Sequence, residues 1–256
     1  MSVKVVTTLH EDGYNLYGSE HIATWAEHFP IDWKIVYYAE KHSPEFVERV
    51  SVVDFDVECA NWQSFYNAVK DKLNHDLQKD DVKVMNWYKK ALRWSFKMFT
   101  LMHALKHTEE RYLIWLDSDV VAVHKPKDSW LLDCLNDKCL AGQLEFIKEG
   151  GHVETGILII DLHHPDVDKL YNWIALGYIE NKILEEKKAW DGIWIAKLVQ
   201  SNSIAWNNIS MVIHQNVAKA FSDNGLKWLK HRVGKVKFRE TKISARSGRS
   251  AKNELI

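Results

Sequence analysis

The sequence of 256 residues has few of the features that would place it outside the ordinary globular proteins. Its formal net charge is −1, so the chain has no overall field that would favour nucleic acid as a partner. No apolar run approaches the roughly 18 residues of a membrane helix. The N-terminal stretch MSVKVVTTLHEDG also lacks the long apolar segment of a signal peptide. We therefore expect a soluble cytoplasmic protein without a membrane span.

Cysteines and linkers are also scarce. The three cysteines, Cys59, Cys134 and Cys139, match neither a disulfide framework nor a zinc-binding spacing. We expect them to be reduced and buried. There is no stretch rich in proline, glycine or serine that would link two domains, and there is no internal repeat. This predicts one domain over residues 1–239, followed by a basic tail over residues 240–256.

Tryptophan, by contrast, is abundant, with 12 in the chain. Aromatic faces stack on sugar rings and on nucleobases, so the number is a mild indication of such ligands. The alternative is that most of these tryptophans are large core residues. Hydrophobic residues make up 46% of the chain and charged residues 27%, which is the composition of a globular protein with a substantial core.

Apolar periodicity predicts strands that alternate with helices along most of the chain. The predicted strands are residues 3–9, 34–40, 51–57, 112–123, 138–146, 154–162 and 203–209. The predicted helices are residues 18–29, 62–77, 86–107, 128–136, 167–186 and 190–199. This alternation predicts an α/β fold, with a mixed, mostly parallel sheet flanked by helices.

Two carboxylates one residue apart interrupt the apolar stretch RYLIWLDSDVVAVHKP. Asp117 and Asp119 follow five apolar or aromatic residues, and a second apolar run begins at Val120. In open α/β sheets, ligands bind beyond the carboxyl ends of strands. At the strand period of two, both carboxylates leave on the same side and could together bind Mg²⁺ or Mn²⁺. An acidic turn is the alternative, although a plain turn would favour glycine, asparagine or proline here.

Three classes of function are compatible with two carboxylates in this position. A phosphatase of the haloacid dehalogenase type also has D-x-D after an apolar strand, but usually near the start of its fold, and it would form an aspartyl-phosphate. A nucleotidyltransferase uses the same carboxylate–metal chemistry and would release pyrophosphate. A non-enzymatic sugar-binding module would bind glycan without metal or nucleotide.

Several segments, in their order and spacing, resemble nucleotide-sugar glycosyltransferases of the GT-A fold, particularly bacterial and phage members similar to family 8. The resemblance covers most of residues 3–239. The segments that carry it are VVTTLHEDGYNLYG, YLIWLDSDVV, ETGILIIDLHHPD, AWDGIWIAKLV, AWNNIS and HRVGKVKF. It implies transfer of a sugar from a nucleoside-diphosphate sugar, most simply a UDP-sugar, to an acceptor that the sequence does not identify. Glycans, proteins, small molecules and even a modified base stay open as acceptors.

The resemblance implies a divalent cation bound by Asp117, Asp119 and His231, with Mn²⁺ suiting a histidine ligand better than Mg²⁺. His231 could otherwise be a solvated histidine. Gly234 would let the backbone approach the phosphates, and Lys235 or Lys237 would neutralise the departing diphosphate. Residues 227–256 contain ten Lys or Arg and two Glu, a net charge of +8, so this segment is either a solvated tail or a lid.

The remaining expected site residues divide between the donor and the acceptor. Thr7 and Thr8 end the first strand and could contact the base, on which Tyr14 or Tyr17 could stack. Arg93 on the long helix and Ser118 within D-x-D are further expected donor contacts. Near the acceptor, a carboxylate could act as a base or stabilise positive charge, as in glycoside hydrolysis. Asp191 is the first choice for this role and Glu154 the second. Each assignment competes with an ordinary core, surface or helix-end role.

Overall fold

The computed structural model describes residues 1–77, 82–126, 129–147, 150–209 and 229–231. Nine strands lie within these ranges. They are β1 (Val3–His10), β2 (Trp33–Glu40), β3 (Val50–Asp54), β4 (Tyr112–Leu116), β5 (Val120–Ala122), β6 (Leu140–Ile147), β7 (Gly150–Asp161), β8 (Trp206–Asn208) and β9 (Leu229–His231).

Seven of these strands form one sheet in the order β3-β2-β1-β4-β7-β6-β8, and β5 pairs with β9 in a separate ribbon. β3, β2, β1 and β4 are parallel neighbours, as are β6 and β8. β7 is antiparallel to both β4 and β6. The expected mixed, mostly parallel α/β sheet is therefore confirmed.

Eight helices accompany the strands in the described ranges. They are α1 (Glu11–Gly13), α2 (Ser19–His28), α3 (Phe55–Glu58), α4 (Trp62–Leu77), α5 (Val82–His107), α6 (Trp130–Leu135), α7 (Val167–Tyr178) and α8 (Asp191–Gln200). A π-helical turn, Tyr14–Gly18, joins α1 to α2, and a 3₁₀ turn, Lys182–Glu185, follows α7. None of these helices is both long enough and apolar enough to cross a membrane.

The sheet has a hydrophobic core on each face. α4, α5, α7 and α8 cover one face, where Trp62, Met98 and Trp194 belong to one buried cluster. α2 and α6 cover the other face, where Trp25 and Trp130 belong to a second cluster. All five residues of β4 are buried because this strand is central and covered on both sides. That position explains its continuous apolar sequence.

Five predicted elements need correction, among them the strand predicted over 154–162, which begins four residues earlier at Gly150. The strand predicted over 112–123 is interrupted, because the chain turns at Ser118 and Asp119 and divides it into β4 and β5. The strand predicted over 51–57 ends at Asp54, whose side chain accepts a hydrogen bond from the Val57 amide and caps α3. The helix predicted over 167–186 ends at Tyr178, and Asn181 then adopts a left-handed conformation with φ 62°. The long helix begins at Val82, four residues earlier than predicted.

Candidate active site

A cleft of about 390 Å³ opens at the carboxyl ends of β1, β2 and β4. This is the edge at which open α/β sheets bind ligands. Its walls come from these strand ends, from the π-helical turn, from the middle of α5 and from the D-x-D segment. The lining residues are Thr8, Leu9, His10, Tyr17, Glu40, Arg93, Trp94, Phe96, Lys97, Trp115, Asp117, Ser118 and Asp119.

The D-x-D segment forms a turn at the end of β4. The Asp117 amide donates to the Gly156 carbonyl at 2.8 Å, and the Val120 amide donates back to the Asp117 carbonyl at 3.0 Å. Asp117 and Asp119 are both half-buried and both line the cleft. Two carboxylates thus line one cavity, but from a turn and not from one side of a continuous strand. The acidic turn and the ligand site are therefore not alternatives here, because the turn itself presents the carboxylates.

Asp117 is held in position by two donors. The indole Nε1 of Trp115 donates to Asp117 Oδ1 at 2.8 Å, and the Lys97 ammonium lies 3.0 Å from the same oxygen. Gly156 lies against the other carboxylate oxygen, since a Cβ at this glycine would be 3.4 Å from Asp117 Oδ2 and 3.2 Å from Glu154 Oε1. A larger residue at position 156 would crowd both carboxylates.

Lys97 is the central residue of the site, and the sequence analysis did not select it. It is 8% exposed and lies 3.0 Å from Asp117 Oδ1 and 3.4 Å from Asp191 Oδ2. Its ammonium also donates to the carbonyl and the hydroxyl of Thr155, at 3.1 and 2.9 Å. Burial lowers the pKa of Lys97, but Asp117 and Asp191 outweigh this, and the net pKa lies above its usual value. Lys97 is therefore a fixed cation beneath the D-x-D turn.

A helical spacing could have indicated Lys97. It lies four residues after Arg93, so the two basic side chains project from the same side of α5 towards the cleft. The contacts that define its role are made to Asp117, Thr155 and Asp191, which lie 20, 58 and 94 residues further along the chain. No local pattern encodes those contacts.

Asp191 and Glu154 lie close to Lys97 but differ in exposure. Asp191 opens α8, is 1% exposed and accepts a hydrogen bond from the Thr155 hydroxyl at 2.7 Å. It is thus buried as a counter-ion of Lys97, whereas the sequence analysis expected it at the acceptor face. Glu154 is half-buried, and its Oε1 accepts a hydrogen bond from the Gly156 amide at 3.0 Å. Neither carboxylate belongs to the lining of the donor cleft.

Thr8 and Glu40 form the opposite wall of the cleft. The Thr8 hydroxyl lies 2.9 Å from both the Tyr38 carbonyl and Glu40 Oε1. Burial raises the pKa of Glu40 to about 7, although the hydrogen bond from Thr8 acts in the opposite direction. A carboxyl group that titrates near neutral pH in a cleft is a candidate for ligand recognition. Glu40 was not selected from the sequence.

The structure separates the four residues that were expected to bind the base. Thr8 and Tyr17 line the cleft, whereas Thr7 is fully buried below it. Tyr14 is 4% exposed, and its ring stacks on Tyr37 at a centroid distance of 5.1 Å. Its neighbours in the core leave Tyr14 no face for a base. For the stacking role, the geometry favours Tyr17.

The two other expected donor contacts do line the cleft. Arg93 is exposed at its wall, one helical turn before Lys97. Ser118 is 8% exposed, and its carbonyl lies 3.0 Å from Nδ1 of His21, which fixes the D-x-D turn against α2. Both residues therefore line the cleft, and their contact with a donor stays a prediction.

The expected metal ligands meet only in part within the described residues. β9 pairs with β5 so that His231 lies opposite Val120, directly after Asp119, and the backbone thus returns the far end of the chain to D-x-D. Among the residues that the structure describes, no group of three or more His, Cys, Asp or Glu side chains is arranged to bind a metal. Asp117 and Asp119 are oxygen ligands that fit a hard divalent cation. Gly234, Lys235 and Lys237 lie outside the described residues.

The central parallel strands, the antiparallel β7 and a D-x-D turn at the end of β4 define the GT-A fold, which confirms the expected fold class. No protein-family model matches the chain, and no curated protein matches it. Among solved structures, mouse xyloside xylosyltransferase 1 has a TM-score of 0.54 and 9% identity, over 90% of this chain and 97% of that one. A glycosyltransferase involved in the glycosylation of the major capsid of PBCV-1 has a TM-score of 0.49 and 12% identity, over 95% and 100% of the two chains.

Proposed function

We propose that this protein is a metal-dependent glycosyltransferase that uses a nucleoside-diphosphate sugar, most simply a UDP-sugar. The observation that carries the proposal is the D-x-D turn, which presents two half-buried carboxylates into a cleft of a GT-A-fold domain. The cleft has groups for each part of such a donor. Tyr17 and Thr8 are available to the nucleoside, and Arg93 is available to the anionic or sugar part.

In this proposal, Asp117 and Asp119 hold Mn²⁺ or Mg²⁺, and His231 is the third protein ligand. When bound, the cation supplies Lewis-acid neutralisation of the leaving diphosphate. Lys97 and Trp115 fix the orientation of Asp117 through its Oδ1. Lys235 or Lys237 adds positive charge from the basic segment 227–256.

Glu154 is now the stronger candidate for a carboxylate near the transferred sugar, and Asp191 is the weaker one. Glu154 is half-buried and adjacent to Asp117 through Gly156, whereas Asp191 is buried behind Lys97. A group that acts on the acceptor must reach its hydroxyl within hydrogen-bond distance. The proposal therefore assigns base or charge stabilisation to Glu154 and assigns Asp191 to holding Lys97.

Thermal unfolding with a panel of nucleoside-diphosphate sugars, each with and without Mn²⁺, tests this function. We expect one donor to stabilise the protein only when Mn²⁺ is present, by about 3 kcal/mol at a concentration near 100 times its Kd. Asp119→Asn should abolish this stabilisation and the transfer activity. Asp71→Asn, which changes an exposed carboxylate on α4, should affect neither. Donor turnover that is unaffected by excess chelator would refute the metal-dependent function.

A further inference from the structure

Three tryptophans come together beside the cleft and are less buried than the tryptophans of the core. Trp87 and Trp94 are seven residues apart on α5, which is two helical turns, and so they lie on one side of the helix. Trp190 lies against both, with ring centroids 6.5 Å from Trp87 and 5.7 Å from Trp94 at interplanar angles of 24° and 30°. All three are half-buried, whereas Trp25 and Trp115 are 0% and 2% exposed. We call Trp87, Trp94 and Trp190 the tryptophan platform.

The platform is fixed from below by β7. The ring of His152, which is 3% exposed, lies 4.2 Å from the ring of Trp190. Gly192 brings the start of α8 directly onto the strand, because a Cβ at this position would lie 2.5 Å from the Val153 carbonyl. On α5, the Lys90 ammonium lies 4.5 Å from the centroid of Trp87. A surface whose rings are already held by packing loses little conformational freedom when a ligand binds.

The platform adjoins the cleft at the end away from the wall that Thr8 and Glu40 form. In the sheet order, Thr8 and Glu40 belong to β1 and β2, on one side of β4. Trp190 belongs to the opposite side, where β7 and α8 lie, and is followed by Asp191. Trp94 lines the cleft itself, so the aromatic surface is continuous with the wall that carries D-x-D. A donor with its base near β1 and its diphosphate at D-x-D would direct its sugar towards this surface.

The shape and chemistry of the platform favour a carbohydrate. A pyranose presents C–H groups on one face, and these meet the electron-rich face of an indole favourably, while the sugar hydroxyls remain available at the ring edge. A polar group that could serve those hydroxyls, the Lys90 ammonium, lies 4.5 Å from the centroid of Trp87. A purely apolar acceptor would not need it.

We propose that the tryptophan platform is the acceptor subsite and that the acceptor is a glycan, one sugar ring of which stacks on Trp87. The inference rests on the proposed function, because it identifies the second substrate of the same site. It selects carbohydrate from the acceptor classes that the sequence leaves open. It also assigns part of the unusual tryptophan content of the chain to ligand binding.

Saturation-transfer NMR provides the test, with methyl glycosides and disaccharides of glucose, galactose, mannose, xylose and N-acetylglucosamine as probes. The full chain is first saturated with the donor nucleoside diphosphate and Mn²⁺. We expect at least one probe to bind, with saturation strongest on the protons of one ring face. Trp87→Ala should weaken that binding, and raise the acceptor KM, about tenfold, which corresponds to about 1.4 kcal/mol. Trp87→Phe should restore most of the affinity.

Tyr171 offers a matched control. It is a half-buried aromatic residue on α7 with the Lys106 ammonium 4.4 Å from its ring centroid, as Lys90 lies over Trp87. Neither Tyr171 nor Trp87 lines the cleft itself, but Tyr171 does not belong to the tryptophan platform. Tyr171→Ala should leave glycan binding unchanged, and the thermal shift produced by the donor should persist in every variant. If Trp87→Ala weakens the donor instead, the platform serves the donor and the inference is wrong.

The remaining outcomes separate this inference from the proposed function. A donor shift without binding of any glycan probe, or with glycan binding that is insensitive to Trp87→Ala, would overturn the acceptor subsite and leave the glycosyltransferase function standing. Glycan binding without any donor shift would instead overturn the enzymatic function and favour a sugar-binding module.

Discussion

Replacing Lys97 by methionine should destabilise the protein strongly. Lys97 is 8% exposed, and its ammonium lies between Asp117 and Asp191 and donates to Thr155. Methionine has a similar length but no charge, so the variant leaves Asp191, which is 1% exposed, without its cation. Removing one partner of a buried ion pair typically costs about 3–5 kcal/mol, because the remaining charge is not solvated. For a chain of this size, that loss lowers Tm by on the order of 10 °C.

Urea unfolding of the wild type, of the single variants Lys97→Met and Asp191→Asn, and of the double variant measures this effect. The double variant removes the unpaired carboxylate, so its loss of unfolding free energy should be smaller than the sum of the two single losses by at least about 1 kcal/mol. Lys89→Met on the same helix is the control, because Lys89 is exposed and its replacement should change stability by less than about 0.5 kcal/mol. A loss below about 1 kcal/mol in Lys97→Met, or strict additivity, would refute the account of a buried network.

Three further predictions concern other parts of the structure. The raised pKa of Glu40, about 7, favours its protonated form in the folded state, so the resulting stabilisation is present below the unfolded-state pKa of 4.5 and is lost as the pH rises through 7. Glu40→Gln should thus raise the unfolding free energy by up to about 3 kcal/mol at pH 8 and hardly change it at pH 4; a pH-independent difference in urea unfolding contradicts this. Gly177→Ala should lower stability by about 1–3 kcal/mol in the same assay, because a Cβ there would lie 2.5 Å from the Trp194 indole; an unchanged midpoint contradicts it. Ending the chain before Lys230 should weaken donor binding much more than stability, and a nucleoside diphosphate with Mn²⁺ should protect residues 230–239 from proteolysis; unchanged donor affinity would show that the tail does not close on the phosphates.

The sequence predicted those features that depend on local pattern. The central strand was identifiable because five apolar residues precede Asp117, and burial on both faces produces such runs. The D-x-D pair was identifiable for a related reason, since charged residues directly after a buried strand require an explanation. The break at Ser118 was not, because the apolar residues from Val120 onwards continue the strand composition although the chain has already turned.

The features that were missed depend on contacts between distant segments. Lys97 lies four residues after Arg93, but Lys89 lies four residues before it, so this spacing does not distinguish the two lysines. Only the packing of β4, β7 and α8 around Lys97 removes it from water. The role of Asp191 was uncertain for the same reason. An acid in the first turn of a helix is favourable wherever it lies. Its burial is set by Gly192, which allows α8 to approach β7 closely.

If a diphosphate binds in the cleft as proposed, the charges around the cleft favour a bound cation. Asp117 and Asp119 line the cleft, Glu154 lies next to Asp117 across Gly156, and Lys97 is shared between Asp117 and the buried Asp191. An anionic diphosphate would be repelled from such a surface unless further positive charge were present. Arg93 supplies one such charge in the described part of the chain. The rest would have to come from a divalent cation and from the basic segment 227–256, whose net charge is +8. The described strand of this segment, β9, pairs with β5 so that His231 lies opposite Val120, the residue after Asp119. Metal binding and closure of the tail are therefore expected to depend on each other, so the effects of chelation and of truncation on donor affinity should not be additive.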